Sequence, residues 1–218
     1  MKPLLTALFA LALEVNAFAT ITDPSCKGVL HGTAVSEDGR PVAGIRLVLE
    51  PLGVDLGIFV PTTRTSEVGE YRFENVCAGR FTVLVDDERA GYPPSYLIEW
   101  MAKNPEVNLT SEHVEAELLV HVPAKAASLS VIARNSRTNV EVPSLQIMLK
   151  PAKFKMYDSI TINHHSSEPL LIPADTDLLC RVVAAGYREW QGGKKRGKQI
   201  RLASERLLTL EVELEPLR

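Results

Sequence analysis

Histidine pairs, cysteines and acidic clusters are the residues of this chain able to hold a metal, and their spacing argues against it. His164-His165 is the adjacent histidine pair. Neighbours on a strand point to opposite faces, so the two rings cannot share one ion. Cys26, Cys77 and Cys180 include no pair at C-x-x-C spacing. Asp86-Asp87-Glu88 offers hard oxygens for calcium but lacks the alternating ligand spacing of a dedicated loop, so it reads as a solvated strand end. No Gly-x-Ser-x-Gly elbow and no His-Glu-x-x-His occurs. Nothing brings a nucleophile to a base, and the reading is no enzyme, no cofactor and no metal.

Binding is the other chemistry. Residues 91–100 carry Tyr92, Tyr96 and Trp100 around Pro93-Pro94. Rings on a proline-stiffened loop can stack on a sugar or grip a partner. Trp190 follows a second Ala-Gly-Tyr, at Ala185-Gly186-Tyr187, as Trp100 follows Ala90-Gly91-Tyr92. The competing reading has these rings capping sandwich ends or packing between units, as large rings usually are mostly buried. Residues 192–198 form a basic, glycine-flanked tip suited to phosphate, anionic polysaccharide or lipid headgroups, or simply a solvated hairpin. Asn108-Leu109-Thr110 fits a glycosylation acceptor.

The elements that must position these residues are strands. Residues 1–19 read first as an export signal: Lys2, an apolar run over 4–13, then Ala17-Phe18-Ala19 before a cut at Thr20. No other segment approaches the about 18 apolar residues of a membrane helix. The net charge of −3 gives no footing for nucleic acid. Beyond the signal, period-two apolar alternation predicts strands over 29–35, 45–50, 71–76, 81–85 and 114–122. A second series follows over 129–133, 145–149, 159–162, 169–172, 178–183 and 207–214. Landmarks recur between the series: Leu49-Glu50-Pro51 with Leu149-Lys150-Pro151, and Ala90-Gly91-Tyr92 with Ala185-Gly186-Tyr187. Two units of under about 100 residues, each with frequent turn signals, predict a pair of sandwiches rather than one large one.

Within residues 28–85, Gly32, Glu37-Asp38-Gly39-Arg40-Pro41-Val42-Ala43-Gly44, Gly69-Glu70-Tyr71-Arg72-Phe73-Glu74-Asn75-Val76 and Gly79-Arg80-Phe81-Thr82-Val83 form a pattern. It resembles the carboxypeptidase regulatory-like family, a transthyretin-like β-sandwich. Cys77 departs from it, standing where that family usually has proline. The second unit keeps the strand order without the Asp-Gly turn. The resemblance implies a binding, spacer or stability module with no shared active site. It also implies that the turn bearing Cys77 comes near Cys26, so a Cys26–Cys77 disulfide is expected and Cys180 is left as a buried thiol.

The fold expected is therefore all-β: two tandem immunoglobulin-like or transthyretin-like β-sandwiches after a signal peptide. The divisions are 1–19 (signal), 20–123 and 124–218 (the two sandwiches). The function expected is an exported, secreted or periplasmic, non-enzymatic interaction or structural protein presenting its loops to a protein or a cell-surface polysaccharide. The alternatives are a carbohydrate-binding module using the loop aromatics, or an accessory protein of a secreted hydrolase.

Overall fold

The computed structural model describes residues 22–53, 60–99, 105–153, 159–193 and 197–217; the expected signal lies outside them. The first half builds β1 (Gly28–Val35), β2 (Arg46–Pro51), β3 (Thr62–Arg64), β4 (Glu70–Val76), β5 (Gly79–Val85), α1 (Ser95–Glu99), β6 (Val107–Leu109), β7 (Glu115–Glu117) and β8 (Val120–His121). The second builds β9 (Ala127–Asn135), β10 (Ser144–Pro151), β11 (Ile160–His165), β12 (Pro169–Ile172), β13 (Leu178–Val183), β14 (Lys198–Ile200) and β15 (Leu207–Leu214). Among the described residues no helix is long and apolar enough to cross a membrane.

The chain is two tandem β-sandwiches with one strand plan used twice. In the first, β4-β1-β7, with β8 also on β1, packs over β3-β2-β5-β6. In the second, β12-β9-β15 packs over β11-β10-β13-β14. Each unit opens with a strand that pairs in parallel with its last one, β1 with β7 and β8, β9 with β15. The central antiparallel pair, β2 with β5 and β10 with β13, repeats too: Pro51 lies opposite Phe81, and Pro151 opposite Leu178.

Period-two patterning explains why these segments are strands with a filled interior. β1 alternates buried and half-buried residues along its whole length. Leu30, Leu47 and Leu49 are fully enclosed in the first core, and Leu129, Ile147 and Leu149 in the second. Each such side chain contributes about 1.5–3 kcal/mol by leaving water. Two separate cores result.

One expected strand is broken. Residues 114–122 form β7 and β8, interrupted at Leu118-Leu119, because Gly32 lets another backbone come close. A Cβ at Gly32 would stand 2.0 Å from the Leu118 carbonyl oxygen. That oxygen accepts the buried Tyr71 hydroxyl at 2.6 Å. Val131 holds the matching position of β9, and β15 runs opposite it without a break.

Candidate functional site

The loop after β5 is built around Asp87. Asp87 is 5% exposed, so it is not part of the solvated strand end expected, whereas Glu88 beside it is exposed. One Asp87 carboxylate oxygen accepts the Arg46 backbone N–H at 3.0 Å and the Arg64 guanidinium at 2.9 Å. The other accepts the Ala90 N–H at 3.2 Å, capping a single 3-10 turn at Glu88–Ala90. Burial alone pushes this carboxyl up, but the Arg46 N–H, Arg64 and the Ala90 N–H outweigh it and hold it below its ordinary value. Asp86 pairs with Arg46 at 3.0 Å.

Gly91 then leaves the turn at φ 82°, a left-handed conformation that glycine adopts without a Cβ penalty. Tyr92 drops back into the first core at 6% exposure, and Pro93 and Pro94 are buried. The chain next covers the outer face of β5. Thr82 donates to the Pro105 carbonyl at 2.9 Å, and Leu84 and Leu97 are buried at 5% and 3%. Tyr96 points outward at 45% exposure. Its phenol is pushed up by partial burial and by the Glu88 charge.

The buried Tyr92 ring meets the segment joining the two sandwiches. The Lys125 ammonium lies 3.7 Å from the ring centroid and donates to the Ala90 carbonyl. The Ala126 N–H donates to the Gly91 carbonyl at 2.8 Å. From the second sandwich, the Ser204 hydroxyl donates to the Lys125 carbonyl at 2.9 Å, and the Glu205 N–H to the Ala126 carbonyl at 2.9 Å. Lys125 and Ala126 are thus held from both sides. A cation–π contact of this kind contributes about 0.5–2 kcal/mol.

The second unit repeats the grip. Gly186 also has φ 82°, and its carbonyl accepts the Leu217 N–H at 2.8 Å. Tyr187 and Trp190 pack against the second core. Trp190 exchanges backbone hydrogen bonds with Val182. Tyr92 and Trp190 thus belong to different cores, and Trp100 lies outside the described residues.

Cys26 and Cys77 form a disulfide with Cα atoms 4.9 Å apart, tying the segment before β1 to the turn between β4 and β5. Cys180 is buried on β13, and burial pushes its thiol up to about 12. His164 bonds the Glu168 carbonyl at 2.9 Å. Among the described residues no three His, Cys, Asp or Glu gather at metal-binding range. Residues 194–196 of the basic tip are outside the described set. Asn108 is exposed on β6. A groove of about 590 Å³ beside β1 and β4 is lined by His31, Thr33, Arg64, Tyr71 and Arg72. Two of its lining side chains are engaged in ion pairs, Arg64 with Asp87 and Arg72 with Glu74, and Glu70 and Glu117 line it as well.

Sequence reasoning missed Lys125. Flanked by alanines, it has no local signal, since its partners lie 35 residues away at Ala90 and 79 away at Ser204. Asp87 was visible as an acidic residue, but not as a buried one.

The chain matches no protein-family model and no curated protein. Among solved structures it is similar to the Bacillus anthracis TIE protein, with 13% identity and a TM-score of 0.35 over 88% of this chain and 34% of that one. A streptococcal ancillary pilin has 12% identity and a TM-score of 0.34, over 89% and 64%. The minor pilin of Streptococcus agalactiae has 11% and 0.35, over 88% and 97%. The chain thus spans about a third of the first of these proteins and under two thirds of the second. Likeness at this level says nothing of what the chain does.

Proposed function

We propose that this chain is an exported, non-enzymatic structural or interaction protein, in which two sandwiches are coupled as one stiff unit and present loops to a partner. The observation that supports this reading most is the junction. Tyr92, Ala90 and Gly91 hold Lys125 and Ala126 from one side, while Ser204 and Glu205 hold them from the other. A flexible tether between independent domains needs no such contacts. A spacer that must keep its loops at a set distance does.

Finer points belong to the same reading. The signal occupies 1–19, the sandwiches 20–123 and 124–218, and the destination is the cell exterior or a periplasm. A disulfide suits an oxidising compartment. The first unit is a carboxypeptidase regulatory-like module, with Cys77 standing where that family usually has proline, and the second is a divergent sandwich of similar topology. The partner is a protein.

Carbohydrate binding is the second reading, favoured by the outward Tyr96 beside a stiff Pro93-Pro94 turn. A polysaccharide is then the partner. Two measurements decide. Fractionation of producing cells, with alkylation and mass spectrometry, is expected to find the chain outside the cytosol, lacking residues 1–19, with Cys26 and Cys77 protected as a disulfide. A cytosolic, reduced chain retaining Met1 overturns the proposal. Glycan-array binding abolished by Tyr96→Ala selects the second reading over the first.

A further inference from the structure

The two units differ at one sheet edge, and the difference leaves a long strand half-paired. In the first sandwich the edge beside β1 is divided between β7 and β8 at Leu118-Leu119. In the second it is β15, eight residues long, bonded to β9 on one side. Among the described residues no strand pairs with its other side, which is covered only past its end, where the Arg188 N–H donates to the Glu215 carbonyl and the Leu217 N–H to the Gly186 carbonyl, both at 2.8 Å.

The bonding pattern identifies the free groups. Ser128 N–H donates to the Arg206 carbonyl at 2.8 Å and Ser136 N–H to the Leu214 carbonyl at 3.0 Å. In a parallel ladder alternate residues bond to the same neighbour, so even positions of β15 face β9. Odd positions, Leu207, Thr209, Glu211 and Glu213, turn N–H and C=O toward the empty side. Their side chains are also exposed, Leu207 at 65%. The core-facing Leu208 and Leu210 stay half-buried at this edge.

Charge decides what fits. Glu211 and Glu213 enter no ion pair among those formed by the described residues. Arg134, opposite Glu213 in the sheet, is bonded instead to the Asn139 carbonyl at 3.3 Å, and Arg188 beside the end of β15 pairs with Glu215 at 3.4 Å. A second copy is a poor occupant: pairing two β15 strands antiparallel about Leu210 sets Glu211 against Thr209 and Glu213 against Leu207, so four carboxylates share one face with no cation opposite any of them. A strand with Lys or Arg opposite these glutamates, and apolar residues beside Leu208 and Leu210, satisfies both faces.

We propose that the free edge of β15 is a docking edge for an extended partner-protein segment that alternates apolar and basic residues, added as a further strand. The proposal deepens the reading of the chain as an interaction protein. Its test is separate, because peptide binding in solution is indifferent to where the chain resides.

The probe is an acetylated, amidated octapeptide alternating valine and lysine, with a valine–glutamate peptide as control. Titrated into the full chain and followed by amide NMR, the lysine peptide is expected to shift and protect the amides of Thr209, Glu211 and Glu213, binding at least about tenfold tighter than the control. Thr209→Pro removes an outward N–H that the fold does not use. It is expected to weaken binding about tenfold or more while β9 amides stay protected. Glu211→Lys with Glu213→Lys should reverse the peptide preference. Equal binding of the two peptides, or unchanged binding by Thr209→Pro, overturns the proposal. So does a dimer in sedimentation velocity that Thr209→Pro abolishes, which would make a second copy the occupant.

Discussion

Replacing Asp87 tests whether the loop after β5 is held by one buried carboxylate. Its oxygens accept two backbone N–H groups, those of Arg46 and Ala90, and one guanidinium. Asp87→Ala leaves the Arg46 N–H without its acceptor, at about 1–3 kcal/mol for an orphan donor, while the Ala90 N–H keeps the residue-87 carbonyl at 3.1 Å. The Arg64 contact adds little, because that side chain is 58% exposed and such pairs contribute about 0–1 kcal/mol. One orphan donor, a weakened Ala90 bond and the lost Arg64 contact together give an expected destabilisation of about 1.5–3.5 kcal/mol. Asp87→Asn keeps one acceptor oxygen but turns an NH2 toward other donors, and should cost about 1.5–3 kcal/mol.

The assay is native-state hydrogen exchange with urea unfolding of the first sandwich, in which the Arg46 and Ala90 amides are expected to lose protection first. The carboxyl sits below its ordinary value in the folded chain. Its contribution is therefore complete above the unfolded value of about 4 and is lost as pH falls through the folded one. The gap between wild type and Asp87→Asn should stay flat from about pH 5 to 8 and close in stronger acid. An Asp87→Asn cost under about 0.5 kcal/mol, with the Arg46 amide still protected, would refute the reasoning.

Three further outcomes are expected. Removing the disulfide by Cys26→Ala with Cys77→Ala should cost the first sandwich about 3–4 kcal/mol, given a sequence separation of 51, read from the urea midpoint. Gly32→Val should cost about 3 kcal/mol by driving the Leu118 carbonyl from the Tyr71 hydroxyl, whereas Tyr71→Phe removes only that bond and should cost about 1–2 kcal/mol. Cys180, buried and with its thiol pushed up to about 12, should resist iodoacetamide in the folded chain at pH 8 and react once urea unfolds it.

What was legible in the sequence tracks how local its cause is. β12, β13 and β15 could be read to the residue, since apolar runs bounded by turns are a local signal. β3, β6 and β14 have three residues each, too few to display a period. The break between β7 and β8 depends on Gly32 and Tyr71, both distant in the chain, and no window around Leu118 contains them. The Cys26–Cys77 bridge followed from knowing which turn the fold returns to the first strand. The junction was the least legible part. Tyr92 was recognised as an aromatic on a stiff loop, but Lys125, which caps its ring, comes from the connecting segment.

Spin labels at Val68→Cys and Val140→Cys, exposed at 59% and 64% on the two sandwiches, report the junction directly through double electron–electron resonance. One narrow distance distribution is expected for the otherwise native chain, and a broad one after Lys125→Gly. A distribution already broad before that substitution, and unchanged by it, would contradict a stiff two-sandwich unit.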